Sequence, residues 1–373
     1  VPAVKVLVVD DSAVIRRLVT TVLEGDPDIH VLGTANNGAV ALDRIAELQP
    51  DLVTLDVEMP VMDGLTALRE IRRRWPTLPV IMFSTLTERG ASATIDALVS
   101  GASDYVTKPS NVGSFAAGVE AVKSQLVPKI KALCHRTLAP ASTRRVASTA
   151  PRTTTSTTPV ARSAGVSLAN RPARHHRPEI LVIGASTGGP DALCTVFRQL
   201  PANFPIPIAI VQHMPPLFTK MFADRLDRIS ALTVAESVGG EELRPGTVWV
   251  APGDHHLELR REGGAVRTVL SSAPPENYCR PAVDVLFRSA STLYGGGVLA
   301  CVLTGMGHDG GVGSKAIVAA GGTVIVQDER TSVVWGMPGT VANAGSAAAV
   351  LPLDRIADAL TQAARSNALV GTP

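Results

Sequence analysis

The chain repeats one pattern: a short, nearly unbroken apolar run, then a longer segment with apolar positions three and four apart. The runs VKVLVV (4–9), IHVLGTA (29–35), DLVTLD (51–56), LPVIMF (78–83) and DYV (104–106) alternate with helical spacing near 13–24, 38–48, 64–74, 89–100 and 112–133. Apolar runs of this length between polar turns read as strands buried on both faces. Strands that alternate with helices imply a parallel sheet covered on both sides. A (βα)5 domain is therefore expected over 1–125. Its chemistry should lie outside the carboxyl ends of the strands.

The pattern then stops. Residues 136–178 are rich in Thr, Ser, Ala, Pro and Arg, as in STRRVASTAPRTTTSTTPVARS. Such a stretch buries too little apolar surface to offset its ordering entropy. A flexible basic linker is expected, placed at 126–178. A second β/α series opens at Glu179 with EILVIG, a helix near 188–200, the strand PIAIVQ and a helix near 216–229. A β-rich middle (TVWVAP, HHLELR, AVRTVL), a helix near 281–294, the strand VLACVLT, a helix from about 310, the strand GTVIVQ and the helix DRIADALTQAARS follow. These read as a second, doubly wound α/β domain over 179–373 with a mostly parallel sheet.

Charge sharpens this division. The 373 residues carry a formal net charge of +2, but 1–120 sum to −6, 121–178 to +11 and 179–373 to −3. A basic strap thus joins two mildly acidic bodies, either as a solvated tether or as a contact for acidic partner helices, anionic lipid or the chain's own acidic flanks. Aromatic residues make up 3%, too few for base-stacking platforms, so no nucleic-acid partner is expected. Cys134, Cys194, Cys279 and Cys301 are scattered without a C-x-x-C pair, as expected for a reducing compartment. No run of 18 apolar residues occurs, and the first apolar stretch ends at Asp10. Neither a membrane span nor a signal peptide is expected, and the location is expected to be cytoplasmic.

In the first domain, Asp10 and Asp11 follow the first strand and Asp56 ends the third. If these strands are adjacent, the carboxylates converge and repel unless a divalent cation or shifted pKa values relieve them. Magnesium suits two carboxylates, a carbonyl and waters. Ser84 ends the fourth strand, and Lys108 follows the fifth, where it could neutralise a phosphoryl group. Its bond to Pro109 is a candidate cis peptide. Met59, Val61 and Met62 read as loop residues packed under this pocket.

In the second domain, GASTGGP (184–190) lies between strand and helix and matches the G-x-S-x-G nucleophile pattern. Its glycines permit a tight turn, which would set Ser186 at a helix N-terminus. A dinucleotide loop is the competing reading. A short-chain reductase would also need a Tyr followed four positions later by Lys, whereas Tyr278 leads to Ala282 and Tyr294 to Val298. His213 follows the strand PIAIVQ, and Asp309 lies in LTGMGHDGG (303–311), again between strand and helix. A serine needs a base and the base needs an orienting carboxylate, and these three residues end three strands of one sheet. Their chain order, Ser, His, Asp, is not that of the α/β-hydrolases. His175-His176 and His255-His256 have no further ligand cluster beside them, so no metal is expected in this domain.

The joint pattern of Asp10-Asp11, DVEMPVMDGL (56–65), Ser84 and Lys108-Pro109 resembles the response-regulator receiver domain. GASTGG, QHMPP, RPAVDVLFRSA (280–290), LTGMGHDGG and GMP (336–338) resemble the chemotaxis response-regulator methylesterases, the CheB family. The likeness implies that Asp56 accepts a phosphoryl group. It also implies that Asp10, Asp11, Asp56 and the backbone carbonyl of Glu58 hold Mg2+, and that Ser84, Tyr105 and Lys108 form the switch. It implies a Ser186–His213–Asp309 esterase, with backbone N–H groups of Thr187, Gly188 or Met306 as oxyanion donors and no cofactor for the ester step. The implied substrates are methylated glutamates and certain glutamines of methyl-accepting chemoreceptors. The implied phosphodonor is a chemotaxis histidine kinase. The alternative is a receiver-linked binding or scaffolding regulator with a vestigial triad. Leu217 after the two prolines, an alanine-rich 339–350 and the long arginine-rich linker depart from the family pattern.

Overall fold

The computed structural model describes residues 3–109, 115–138 and 176–365, with only the backbone for 135–138. The first domain runs β1 (Val4–Val9), α1 (Ala13–Glu24), β2 (Ile29–Ala35), α2 (Gly38–Leu48), β3 (Leu52–Asp56), α3 (Gly64–Arg74), β4 (Val80–Ser84), α4 (Glu88–Val99), β5 (Asp104–Thr107) and α5 (Phe115–Leu138). Its five strands are parallel in the order β2-β1-β3-β4-β5. Because β1 and β3 are neighbours, Asp10 and Asp56 emerge side by side. The strands bury both faces, and each fully buried Val, Leu or Ile contributes roughly 1.5–3 kcal/mol. Helix starts are fixed locally: Ser12, Asn37, Asp63 and Thr87 accept backbone N–H bonds from the first turns of α1 to α4.

Three expectations need correction here. Helix α5 continues to Leu138, so the linker does not begin at 126. Leu126, Val127, Ile130 and Cys134 fall at helical spacing and pack into the core of the first domain, which is why the helix persists. The remaining linker residues, 139–175, lie outside the described residues. The Lys108–Pro109 bond is trans, and the cis peptide among the described residues is Arg280–Pro281. Met59 and Met62 pack against the core as expected, but Val61 is 88% exposed at a positive φ of 68°.

The second domain runs β6 (Ile180–Ala185), α6 (Gly189–Phe197), β7 (Ile208–Gln212), α7 (Phe218–Ile229), β8 (Thr233–Glu236), β9 (Thr247–Val250), β10 (His256–Glu262) and β11 (Ala265–Ser271). It continues through α8 (Val283–Tyr294), β12 (Val298–Val302), α9 (Gly311–Ala319), β13 (Thr323–Gln327), α10 (Met337–Asn343), β14 (Ala349–Leu351) and α11 (Leu353–Arg365). Seven strands form a parallel sheet, β14-β13-β12-β6-β7-β9-β8, and β10-β11 form a separate antiparallel hairpin. Strands β12, β6 and β7 are consecutive across the sheet. No helix among the described residues is long and apolar enough to cross a membrane.

The two domains pack through α4 of the first against α6 and α7 of the second. Tyr105 stacks on Phe218, with centroids 4.9 Å apart and planes at 11°. Arg225 pairs with Asp96 at 3.3 Å, and Thr187 donates to Asp104 at 2.5 Å.

Candidate active site and phosphorylation pocket

Strands β6 and β7 end one residue before Ser186 and His213. The His213 N–H bonds to the Ala185 carbonyl at 3.1 Å. Gln212, buried, ties the two ends further by donating to the Ser186 carbonyl at 3.0 Å. The turn after Ser186 passes so close to Gln212 that a Cβ at Gly189 would lie 2.0 Å from its Oε1. Gly188 takes a φ of 76°, which reverses the chain into α6. Ser186 thereby sits at the mouth of a helix N-terminus, as expected from GASTGGP. The backbone N–H groups of Thr187, Gly188 and Met306 donate to no acceptor among the described residues. Pro190 at the start of α6 suits a position whose N–H would be unpaired in any case.

Asp309 follows β12 and is 2% exposed. Its Oδ2 faces His213 Nε2 at 2.8 Å and accepts the Val283 N–H at 2.6 Å. Its Oδ1 accepts the N–H groups of Asp284 and Gly310 and the Asn277 amide, at 3.0, 2.9 and 3.0 Å. Burial works against the Asp309 charge. The His213 bond, the imidazolium and the Asp284 and Val283 amides prevail and hold its pKa at about 2. Burial likewise opposes a charged His213, but the bond to Asp309 and the Cys279 contact lift its pKa to about 9.

Ser186, His213 and Asp309 line one cavity of about 370 Å³. Asp104, Tyr105 and Lys129 of the first domain close one of its walls. The imidazole Nδ1 faces Cys279 Sγ at 3.6 Å, while the Ser186 hydroxyl makes no hydrogen bond with His213. Sequence reasoning placed the three residues together but did not single out Gln212, Asn277 or Cys279. Asn277 and Cys279 flank Tyr278 just before the RPAVD motif, and nothing in their local pattern marks them.

In the first domain, Lys108 Nζ lies 2.9 Å from Asp10 and 2.8 Å from Asp56. Burial opposes its charge, yet the bonds to both carboxylates outweigh that and raise its pKa. Burial pushes Asp56 up to about 6, with the Asp10 charge adding to it and Lys108 opposing. Burial also raises Asp10. Carboxylate oxygens of Asp10, Asp11 and Asp56 lie within 4.8 Å of one another. Asp56 Oδ2 is buried without a hydrogen-bond partner among the described residues. This crowded, underpaired oxygen set fits a hard divalent cation. Glu58 borders the same pocket, and its side chain turns to Arg89 at 3.2 Å. The Ser84 hydroxyl donates to the Gly90 and Thr85 carbonyls, at 3.1 and 3.3 Å. Tyr105 is buried against Phe218, so two expected switch residues bracket the path from Asp56 to the second domain.

Residues 181–360 match the CheB methylesterase family, and residues 6–120 match the response regulator receiver domain. The chain is 55% identical to a protein-glutamate methylesterase/protein-glutamine glutaminase of a Nocardioides species, over 94% of this chain and 93% of that one. It is 47% identical to the protein of that name from Trichodesmium erythraeum, over 96% and 98%. A crystal structure of the Thermotoga maritima CheB methylesterase catalytic domain is 48% identical and covers 49% of this chain and 97% of its own, with a TM-score of 0.49. With both domains matched in order and a full-length relative at this identity, the chain belongs to the CheB methylesterase family in its receiver-bearing form.

Proposed function

We propose that this chain is a phosphorylation-gated serine esterase. Its substrates are the glutamyl methyl esters of methyl-accepting chemoreceptors, from which it releases methanol, and certain receptor glutamines, which it deamidates. The observation that carries the reading is the meeting of Ser186, His213 and Asp309 in one cavity walled by the face of the receiver that bears Tyr105.

Neutral His213 takes the Ser186 proton as the hydroxyl oxygen attacks the side-chain carbonyl. The developing oxyanion is met by the free N–H groups of Thr187, Gly188 or Met306, each such donor being worth roughly 2.7–4 kcal/mol. Asp309 orients the imidazole and stabilises its charged form. The imidazolium then gives the proton to the methoxy oxygen, which leaves as methanol, or to the amide nitrogen, which leaves as ammonia. A water activated by the same base frees the carboxylate and the serine. No residue of this cavity calls for a cofactor in the ester step.

In the resting arrangement His213 is held charged, its Nδ1 faces Cys279, and the receiver walls the cavity. Each feature opposes attack by Ser186. In the receiver, Asp10, Asp11, Asp56 and the Glu58 carbonyl would hold Mg2+, which supplies charge neutralisation for phosphoryl transfer to Asp56. A phosphoryl group on Asp56 would draw Lys108 and Ser84 to itself, and Ser84 would leave its bonds to Gly90 and Thr85. Helix α4 and Tyr105 would repack, and the contact with α7 would weaken. A chemotaxis histidine kinase is the natural phosphodonor.

One contact favours a second nucleophile: Cys279, at 3.6 Å from Nδ1, is placed as a thiol partner of His213. The deciding experiment is methanol release from methylated receptor, with and without acetyl phosphate and Mg2+. Release that rises with phosphodonor and disappears in Ser186→Ala supports the reading. Equal release from Ser186→Ala overturns it. No release from the wild-type chain under either condition would favour a scaffolding regulator.

A further inference from the structure

Asp309 does not lie alone in the second domain. Asp284, at the start of α8, is fully buried, and both carboxylates are reached by one side chain. Asn277 Nδ2 donates to Asp309 Oδ1 at 3.0 Å and to Asp284 Oδ2 at 3.0 Å. The other Asp284 oxygen accepts the Gly313 N–H at 2.6 Å. Two neighbouring carboxylates out of water do not both ionise without help, since each charge opposes the other. The amide offers one hydrogen to each and has no acceptor of its own between them.

The loop carrying Asn277 is built to hold it there. Glu276 and Cys279 exchange backbone hydrogen bonds of 3.1 and 2.9 Å. Glu276 is clamped by both terminal nitrogens of Arg288 at 2.6 Å. Asn277 takes a φ of 52°, a region that asparagine and glycine accept more readily than other residues.

We infer that Asn277 is a positioning residue for the ester hydrolysis: its amide bridges Asp284 and Asp309, keeps a proton from being shared between them, and so keeps Asp309 ionised and aimed at His213. The inference rests on the reading of Ser186, His213 and Asp309 as the triad. The charges of the two carboxylates fit this role. Burial raises Asp284, which the Gly313 N–H counters, the Asp309 charge increases and the Asn277 bond again lowers. Asp309 is the member held low. The other ionisable groups facing the pair are His213, Glu276 and Arg288, with the Cys279 thiol against His213 and His256 near Glu276.

Without the amide, a proton bound between Asp284 and Asp309 would cancel part of the charge that His213 sees. The imidazole would then titrate lower and be oriented less well. Asn277→Gly is the informative variant, because glycine keeps the left-handed backbone and loses only the amide. Its expected kcat for methanol release is lower by about tenfold, the size of one lost hydrogen bond to a charged group. Its KM for methylated receptor should stay within about twofold of the wild type, because Asn277 is read as acting through Asp309. The acid limb of its pH–rate profile should move to lower pH by about one unit.

The double variant Asn277→Gly/Asp284→Asn tests the bridge itself. It removes the competing carboxylate and places a new amide beside Asp309, so both kcat and the acid limb should return toward the wild type. A purely structural Asn277 predicts the reverse, with the double variant slower than the single one. An unmoved acid limb with kcat within twofold, or a double variant slower than Asn277→Gly, overturns the inference. If Asn277→Gly does not fold, Asp284→Asn alone decides. It should leave the acid limb near its wild-type position, and loss of the limb in that variant counts against the bridge. Failure of the triad reading would show separately, as activity surviving in Ser186→Ala.

Discussion

Thr187, next to Ser186, donates a 2.5 Å hydrogen bond to Asp104, next to Tyr105. The two side chains join the residue beside the proposed nucleophile to the residue beside the proposed switch. Asp104 is 5% exposed and also pairs with Lys129 at 2.8 Å. A hydrogen bond to a charged group contributes about 1.5–3 kcal/mol, so this contact is a sizeable part of the force holding the receiver over the cavity. Asp104→Ala should raise methanol release by the unphosphorylated chain at least fivefold. Deletion of residues 1–138 should raise it further and remove the need for phosphodonor. A truncated enzyme no faster than the unphosphorylated parent would show that the receiver contributes positively, for instance by binding receptor.

The nucleophile is decided by a pair of variants. Ser186→Ala should abolish methanol release, because the other hydroxyl between β6 and α6, that of Thr187, is engaged with Asp104. Cys279→Ala should retain at least wild-type activity, because it removes the group that faces His213 Nδ1 and leaves that nitrogen free for Ser186. Loss of activity in Cys279→Ala together with survival in Ser186→Ala would transfer the role to the thiol.

Much of this site was legible because parallel sheets bring distant strand ends together. Asp10 and Asp56 meet because β1 and β3 are neighbours, and Ser186, His213 and Asp309 meet because β12, β6 and β7 are consecutive. Asp10, Asp56, Ser186 and His213 each end an apolar run or directly follow one, a signal that survives in one dimension, whereas Asp309 comes seven residues after β12 in a glycine-rich turn. Helix α10 and the short strands β8 and β14 carried no comparable pattern and were not anticipated. Asn277 and Cys279 were invisible for a different reason. They lie on an irregular loop and matter through contacts with Asp309 and His213, which no local periodicity encodes. The linker was placed from 126 although Leu126, Ile130 and Cys134 still pack on the core as one face of α5, which runs to Leu138.

The acidic pocket should bind its cation in a pH-dependent way. Burial, reinforced by the Asp10 charge, raises the Asp56 pKa to about 6, so the carboxylate is lost as pH falls through that value. Mg2+ binding and acetyl phosphate labelling should therefore both decline between pH 7 and 5, and Asp56→Asn should take no label at any pH. Titration with Mg2+, followed by a spectroscopic probe in the receiver, measures the first effect. Normal labelling of Asp56→Asn would show that the acceptor lies elsewhere.

His213 ties stability and activity to pH with opposite signs. Burial disfavours its charge, but Asp309 and Cys279 raise its pKa from 6.5 to about 9 in the folded chain. A group whose pKa rises on folding stabilises the folded state most below its unfolded value. That contribution is lost as pH climbs through the folded one. The resting chain should therefore lose conformational stability between about pH 6.5 and 9. Over the same window the fraction of neutral His213, the form able to take the Ser186 proton, increases. Methanol release by the unphosphorylated chain should accordingly rise, by up to tenfold per pH unit below the folded pKa. Asp309→Asn removes the main source of the raised pKa, so it should flatten both trends while costing on the order of 10⁴-fold in rate, as loss of the orienting carboxylate does in serine proteases. Denaturant unfolding and methanol release, measured on the same samples across that range, give the two slopes. Parallel slopes, or an Asp309→Asn protein with the wild-type stability profile, would show that His213 is not held charged by Asp309 in the resting enzyme.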